Sequence, residues 1–432
     1  MRLLVTNAQT PQSYAIVRAL RPHASRVVAT LEGEGWRARL SHAARSRMVD
    51  ARYAVPSPVE EWSAGRISQE VSAAEQAFVD AVAGICERER LDTIFPSWDP
   101  YVYVLSKHRD RFAAMGITIP VPGIETMLTA LDKYRTVRAG EAVGMPCPET
   151  HLYESLEQAV EIGERLRYPV VIKPRFTSGG KGMAIVRDRG ELVQALPAIV
   201  DSHGAPMLQE YIPGGRRDSV QFVVGRDGAV LFAFHKKRHR TFRRTARFGT
   251  VSESASPDQR LQTTAALVAR VGWWGAMGVE TIHDPRDGRD KLMEINPRFP
   301  RQLWNRTELG INEPLLCLQV ARGEEVTRLP SYPVGVLFVS PVEDLGLMAL
   351  QLLDRVVYAC RTTIGGAQPL DGSTAPPPLM QQTREFFQTY SAPRRRVWDP
   401  YFHYFFQDPL TAALWWLQFS TWLAGSWRQL GR

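Results

Sequence analysis

Two groups of residues in this 432-residue chain have the types and spacing to handle phosphate and a metal ion. The first is "YPVVIKPRFTSGGKGMAIV" (168–186). An apolar run ends at Lys173-Pro174, the turn Thr177-Ser178-Gly179-Gly180-Lys181-Gly182 follows, and a second apolar run closes the segment. A Walker A loop would need Ser or Thr after Lys181 and a helix behind it. Gly182 and the strand-like "MAIV" stand there instead, so the pattern predicts strand–loop–strand, a hairpin. Glycines at 179 and 180 let backbone N–H groups approach phosphate oxygens, and Lys173 and Lys181 supply positive charge. Taken alone, a surface hairpin without a ligand is the simpler reading.

The second group is "GVETIHDPRDGRDKLMEINPRF" (278–299). Apolar residues lead to Glu280, Asp287-Gly288 marks a turn, and the returning strand carries Glu294 and Asn296 on one face. Glu280 on the neighbouring strand completes an all-oxygen set. Mg²⁺ favours such a set, with few protein oxygens and the rest of its shell left to phosphates and water. Arg298, two residues further on, is placed to neutralise a transferring phosphoryl group. The alternative is a solvated acidic strand face, and the otherwise apolar "LMEIN" argues against it. No Ser/His/Asp or Cys/His arrangement offers a protein nucleophile.

The elements that must position these groups can be read along the chain. "RLLVT", "RVVAT", "LDTIFPS" and "GITIPVP" read as strands, and "TPQSYAIVRALR" and "DPYVYVLSKHRDRF" as helices. Such alternation predicts a parallel α/β sheet up to about Gly123. The first turn, Asn7 to Gln12, lacks GxGxxG, which argues against a dinucleotide there. From Thr129 to about Glu325 longer helices and strands carry glycine punctuation. "TTIGGAQPLDGSTAPPPLMQQ" (362–382) reads as a flexible link.

Composition narrows the class. With 44% hydrophobic and 23% charged residues the chain reads as a soluble globular protein of two or three domains. Four scattered cysteines suggest neither a disulfide framework nor a zinc site, and fit a reducing cytosol. The N-terminus does not read as a signal peptide. Net charge is +8, and "HKKRHRTFRRTAR" (235–247) carries seven Lys or Arg and no acid; without it the charge falls to +1. Local basicity asks for a local anionic partner. With aromatics limited to Phe242 and Phe248, nucleic acid is not expected.

In order and spacing these motifs resemble the ATP-grasp superfamily, in its carbamoyl-phosphate-synthase-like, carboxylate–amine ligase branch. The resemblance runs from residue 1 to about 325. It implies an α/β fold with a Rossmann-like pre-ATP-grasp domain (1–125), a two-lobed α+β ATP-grasp domain (126–325) and a C-terminal region (326–432) ending in a helix. In "LDKYRTVRAGEAVGMPCPET" it implies that Lys133 reaches the nucleotide phosphates, and in "VVIKP" that Lys173 lies near the α-phosphate and adenine N7. "TSGGKGM", with Ser178, Gly179, Gly180 and Lys181, resembles the flap over the phosphates. "MLQEYIPG" resembles the hinge, where Glu210 would accept from the adenine amino group and Tyr211 and the Ile212 backbone would line the ring. Asp218 falls where the family places its ribose-binding acid. Glu280, Glu294 and Asn296 match its metal ligands, and Arg298 its phosphate arginine.

The implied chemistry is ATP-dependent activation of a carboxylate as an acyl phosphate, followed by attack of an amine. ATP and Mg²⁺ are the implied cofactors, with one or two ions and with Mn²⁺ able to substitute. A kinase that stops at phosphoryl transfer and a non-catalytic nucleotide-binding scaffold at a membrane are the alternatives. The partners implied are small-molecule carboxylate and amine substrates, anionic in character if the basic stretch 235–247 faces them as a loop. A solvated loop is the other reading of that stretch. A homo-oligomer is compatible with the sequence.

The tail adds a separate expectation. Residues 398–432 hold five of eleven Trp, and the 19 residues from Pro409 to Trp427 carry no charge. Arg394-Arg395-Arg396 precede them and Arg428 and Arg432 follow. Thr411, Gln418 and Gln429 share one side at helical spacing, flanked by Trp415 and Trp422. Three readings stand: an interfacial anchor on the cytoplasmic membrane face, a helix docked into the protein's own core or a second subunit, and, third, a full span, for which 19 residues are barely long enough. The location implied is cytoplasmic, with peripheral attachment under the first reading.

Overall fold

Four strands, β1 (Arg2–Val5), β2 (Arg26–Glu32), β3 (Ala51–Val55) and β4 (Thr93–Phe95), pair in parallel in the order β3-β2-β1-β4. Leu3, Leu4, Val5, Val27, Val28, Ile94 and Phe95 are all buried, as expected of a parallel sheet covered on both faces. The helix Pro11–Leu20 starts where the sequence signals it: the Thr10 side chain accepts from the Ser13 N–H, and Pro11 takes the first helical position. "GITIPVP" does not become a strand. Only Thr118 bridges Thr93, because Pro120 and Pro122 have no N–H to give. β3 was not among the expected strands.

The computed structural model describes all residues except 34, 36–37, 39–40, 60–61, 63–69, 215, 242–248, 327–330, 366–378, 392 and 431–432. Within helices and strands it also leaves out the side chains of 241, 258–259, 351, 354, 356–365, 379, 381–382, 385 and 422–430. The chain divides into two compact units, Met1–Lys236 with Ala255–Tyr332, and Lys237–Ser254 with Pro333–Arg432.

A second sheet in the first unit is formed by β5 (Thr150–His151), β6 (Val170–Lys173), β7 (Ala184–Val186) and β8 (Met207–Glu210), antiparallel in the order β5-β8-β6-β7. Helices Leu156–Leu166 and Arg189–His203 cover it through Val160, Ile162, Leu192 and Leu196. The strands β9 (Arg217–Val224), β10 (Val230–Thr241), β11 (Gly249–Ala255), β12 (Gly275–His283) and β13 (Asp290–Asn296) follow. In the first unit the order is β13-β12-β9-β10. Val220, Phe222, Val224, Met277, Val279, Leu292 and Ile295 belong to its core, with Leu267, Val268 and Val271 of the helix Asp258–Val271. Between Glu280 and Thr281 the β12–β13 register shifts by one residue. A bulge of this kind lets Leu292 and Ile295, three apart, both reach the core while Glu294 and Asn296 point away from it.

β10 runs on into the second unit after Lys236. There β11 pairs antiparallel with β14 (Leu337–Val339), which pairs in parallel with β15 (Arg396–Trp398). Helices Pro341–Gly365 and Pro409–Leu430 pack on each other. Trp415 is buried and stacks on Tyr401 at 4.9 Å, and Thr411 and Phe419 are buried beside it. Thr411 thus faces inward, on the side of the helix that buries Ala412, Trp415 and Phe419. Trp422 and Gln429 lie outside the described side chains. Most of the expected link 362–382 also lies outside the described residues.

Candidate nucleotide and metal site

Strand register assembles the oxygen set. Glu294 lies directly across from Glu280, and Asn296 from Gly278. On the other side of β12, Ser219 faces Glu280 and Gln221 faces Gly278. Directly opposed residues share a face, so Glu280, Glu294, Asn296, Ser219, Gln221 and, by alternation, Arg217 lie together. The Asn296 amide donates to Glu280 Oε1 at 3.4 Å. Among the described residues no three His, Cys, Asp or Glu side chains gather to hold a metal. An ion here would rest on two carboxylates and an amide oxygen, which fits a hard cation that takes the rest of its shell from a ligand, and does not fit zinc.

Two lysines enter the same neighbourhood from other elements. Lys173, buried at the end of β6, donates to the Met293 carbonyl of β13 at 3.0 Å and to Gln209 Oε1 at 3.4 Å. It thereby ties the small antiparallel sheet to β13. Burial pushes its ammonium down to about 8; Glu294 pulls it back up, and Lys133 adds to the fall. Lys133 opens the helix Lys133–Ala142, is buried, and donates to the carbonyls of Thr177 and Arg175 at the foot of the glycine hairpin. Burial lowers it too, against the attraction of Glu294. Asp132 caps that helix by accepting from the Tyr134 N–H and pairs with Arg175.

Glu294 sits among these cations. Burial alone would raise its carboxyl, but Lys133, Lys173, Arg217 and Arg298 outweigh burial and hold it below the usual range. Those charges act on it through space, so the carboxylate is ionised at neutral pH without being used up in a hydrogen-bonded pair. Arg298 is fixed by Asp99, with Nε to Oδ1 at 2.6 Å and Nη2 to Oδ2 at 3.3 Å. Burial opposes its charge and Asp99 restores it, leaving the guanidinium firmly protonated.

The hairpin between β6 and β7 forms as strand–loop–strand, with Val170 across from Val186 and Ile172 from Ala184. Gly179, Gly180 and Gly182 all take positive φ, 65°, 70° and 69°. Ser178 is partly buried, and Gly179, Gly180 and Lys181 are exposed on the turn, whereas Lys173 is buried at its base.

Three of the expected groups have partners within the fold. Asp218 does not join the site. It shares the parity of Val220 and Phe222, so it turns to the core side of β9, where Arg260 at 3.1 Å and Arg216 at 3.2 Å pair with it. The Glu210 carboxylate, expected to meet an adenine amino group, is taken up by Arg286, by Lys291 at 3.2 Å and by the Glu149 N–H at 3.2 Å. Tyr211, partly buried, and Ile212, buried, follow it in the turn after β8. The stretch 235–247 is not a loop over its described part, since β10 runs to Thr241. His235 meets Arg260, Lys236 donates to Gln302 Oε1, His239 meets Glu253 and Arg240 pairs with Asp344. Positions 242–247 lie outside the described residues.

Asp99 and Arg217 escaped the sequence reading. Asp99 is 199 positions from its partner, so no local pattern marks it. Arg217 had a signal, its even spacing from Ser219 and Gln221, but only the β9–β12 register turns that spacing into a face.

Two sheets joined by a buried lysine, with an acidic amide-bearing strand pair beside it, define a grasp-type nucleotide-binding fold. The profile of the ATP-grasp domain matches residues 130–301, so this stretch is an ATP-grasp domain. Among curated proteins it is similar to acetyl-CoA carboxylase of Schizosaccharomyces pombe, 27% identical over 45% of this chain and 9% of that protein. It is similar to the carbamoyl phosphate synthase large chain of Vibrio cholerae, 24% identical over 51% and 22%. The alpha subunit of mitochondrial methylcrotonoyl-CoA carboxylase of Glycine max is 30% identical over 48% and 30%. The chain thus spans less than a third of the length of each. Among solved structures, biotin carboxylase of Campylobacter jejuni, in a complex described as β-γ-ATP, aligns with a TM-score of 0.61 at 17% identity, covering 78% of this chain and 74% of that one. The biotin carboxylase domain dimer of Hydrogenobacter thermophilus 2-oxoglutarate carboxylase, with MgADP, ADP and bicarbonate, aligns at 0.60 and 18%, covering 77% and 73%. At these identities the likeness is one of fold.

Proposed function

We propose that this chain is an ATP-dependent ligase that activates a small carboxylate as an acyl phosphate and joins it to an amine. The observation that carries the reading is Glu294, ionised and ringed by Lys133, Lys173, Arg217 and Arg298, with Glu280 and Asn296 on the same strand face. Lys173 and Lys133 are assigned to the nucleotide phosphates, with Ser178, Gly179, Gly180 and Lys181 closing over them. Tyr211 and Ile212 are assigned to the adenine. Mg²⁺, when bound, supplies charge neutralisation between phosphate oxygens. Glu280, Glu294 and Asn296 would hold it, and the same oxygens accept a second ion or Mn²⁺. Arg298, held in place by Asp99, would meet the charge that builds on the transferring phosphoryl group.

In this reaction the carboxylate oxygen takes the γ-phosphoryl and ADP leaves. The amine then attacks the acyl carbon, loses a proton, and phosphate departs. The chain contributes position and charge, and no protein nucleophile is required. The experiment is a panel of carboxylates and amines with ADP, phosphate and coupled product all quantified. ADP and phosphate formed in equal amounts, dependent on one acid and one amine together, support the reading. A phosphorylated acid accumulating as the end product would make the enzyme a kinase, and no ATP turnover with any pair would make it a scaffold.

A further inference from the structure

No helix of the described residues is long and apolar enough to cross a membrane, yet the second unit turns large apolar side chains outward along three helices. On Leu379–Ser391 the exposed row is Met380, Arg384, Phe387 and Ser391, with Met380 85% and Phe387 64% exposed. On Pro409–Leu430 it is Leu410, Ala413 and Leu417. On Pro341–Gly365 it is Leu345, Ala349 and Leu352. Phe406, 92% exposed, stands edge-on to Phe405, which stacks on Trp416 at 5.1 Å. A soluble surface normally shows such side chains singly; rows of them mark a surface that something covers.

Charge indicates what covers it. Residues 237–254 and 333–432 hold fourteen Lys or Arg against eight Asp or Glu, a net of +6 out of the chain's +8. Five of the eight acids have described side chains, and these are not free at the surface: Glu343, Asp344, Asp399 and Asp408 are buried, and Glu253 is paired with His239 and Arg394. Arg384, Arg394 and Arg395 are exposed. A second copy would bring the same positive charge to the contact. An anionic surface with an apolar interior complements both features.

We propose that these exposed rows of the second unit together make a face that seats on an anionic lipid bilayer, with Met380, Phe387, Phe406, Leu410 and Leu417 entering the headgroup boundary and the arginines meeting lipid phosphates. The surface is composite. Trp415, which a lone tail helix would present to lipid, is spent inside the unit against Tyr401. Seating of this kind does not depend on turnover, so it can stand or fall apart from the ligase reading.

The test uses the full chain with two kinds of vesicle, phosphatidylcholine alone and phosphatidylcholine with roughly a third phosphatidylglycerol. The expected result is sedimentation with the anionic vesicles at low salt, a fall at high salt, and little binding to the neutral ones. Phe387→Asp with Phe406→Asp should weaken partitioning by a factor of ten or more while leaving thermal unfolding unchanged, since both side chains are exposed. Should that pair unfold, Phe387→Ser with Phe406→Ser replaces it. A wild-type chain that stays in the supernatant at low salt would overturn the proposal. So would variants that bind equally well, or a concentration-dependent dimer that the same substitutions disperse without any vesicle binding.

Discussion

Lys173 is where nucleotide affinity should respond most sharply. Its ammonium is buried and within reach of β13, so Lys173→Ala removes a charge-assisted contact of about 1.5–3 kcal/mol, a tenfold or greater loss in ATP affinity by calorimetry. The same residue sets a pH dependence. Burial brings it down to about 8, so the charged form that attracts phosphate prevails below that pH and is lost as pH rises through it. kcat/KM for ATP should fall above about pH 8, and Lys173→Arg, which stays protonated, should remove the fall. Asp99 acts through Arg298 as a positioning residue. Asp99→Ala leaves the buried guanidinium uncompensated, which typically costs about 3–5 kcal/mol of stability. Asp99→Glu should recover stability more fully than kcat, because the longer side chain keeps the charge and displaces the guanidinium.

The glycine hairpin and the β15 turn carry the predictions at the scale of elements. Gly182 holds φ at 69°, and a Cβ there would run into the His203 ring. Gly182→Ala should raise KM for ATP through the altered hairpin while costing at least about 1 kcal/mol in thermal unfolding. In the second unit Asp399 caps the short helix Pro400–His403 by accepting from the Phe402 N–H at 3.0 Å. Burial, then the neighbouring Glu343, raises its carboxyl from 3.8 to about 7. A raised carboxyl makes the folded state bind more protons than the unfolded one. Its stabilisation is therefore complete below the unfolded value of 3.8 and is lost as pH rises through about 7. Asp399→Asn keeps the cap without the titration, so it should flatten the fall of melting temperature between pH 4 and 7.

For the molecule as a whole, truncation separates the anchored and docked readings of the tail. Removal of everything after Arg396 deletes Trp398 of β15 together with Tyr401, Ala412, Trp415 and Phe419, all but Trp398 buried. The helix Pro341–Gly365 would lose the partner it packs on. The truncated chain should bind hydrophobic dye and aggregate, and an intact, monomeric, cooperatively melting product would show that the second unit does not need its last helix. The docked-helix reading of the tail thus accounts for one side of the helix, and the exposed row at Leu410, Ala413 and Leu417 leaves the other side to a surface.

The strand–loop–strand hairpin and the shared strand face of Glu294 and Asn296 were legible in the chain because their signals are local. Glycine punctuation, period-two alternation and an acid in an apolar run need only a few neighbours to be read. The pairing of strands is not local. Asp218 and Arg217 are adjacent and both polar, and only the register of β9 on β12 sends one to the core and the other to the site. Asp99 reaches Arg298 across the length of the first unit. Leu292 and Glu294 would share a face in a regular strand, and a one-residue bulge parts them. Side-chain direction in a sheet depends on parity relative to a partner strand, and parity is set when distant segments pack, which no stretch of sequence states by itself.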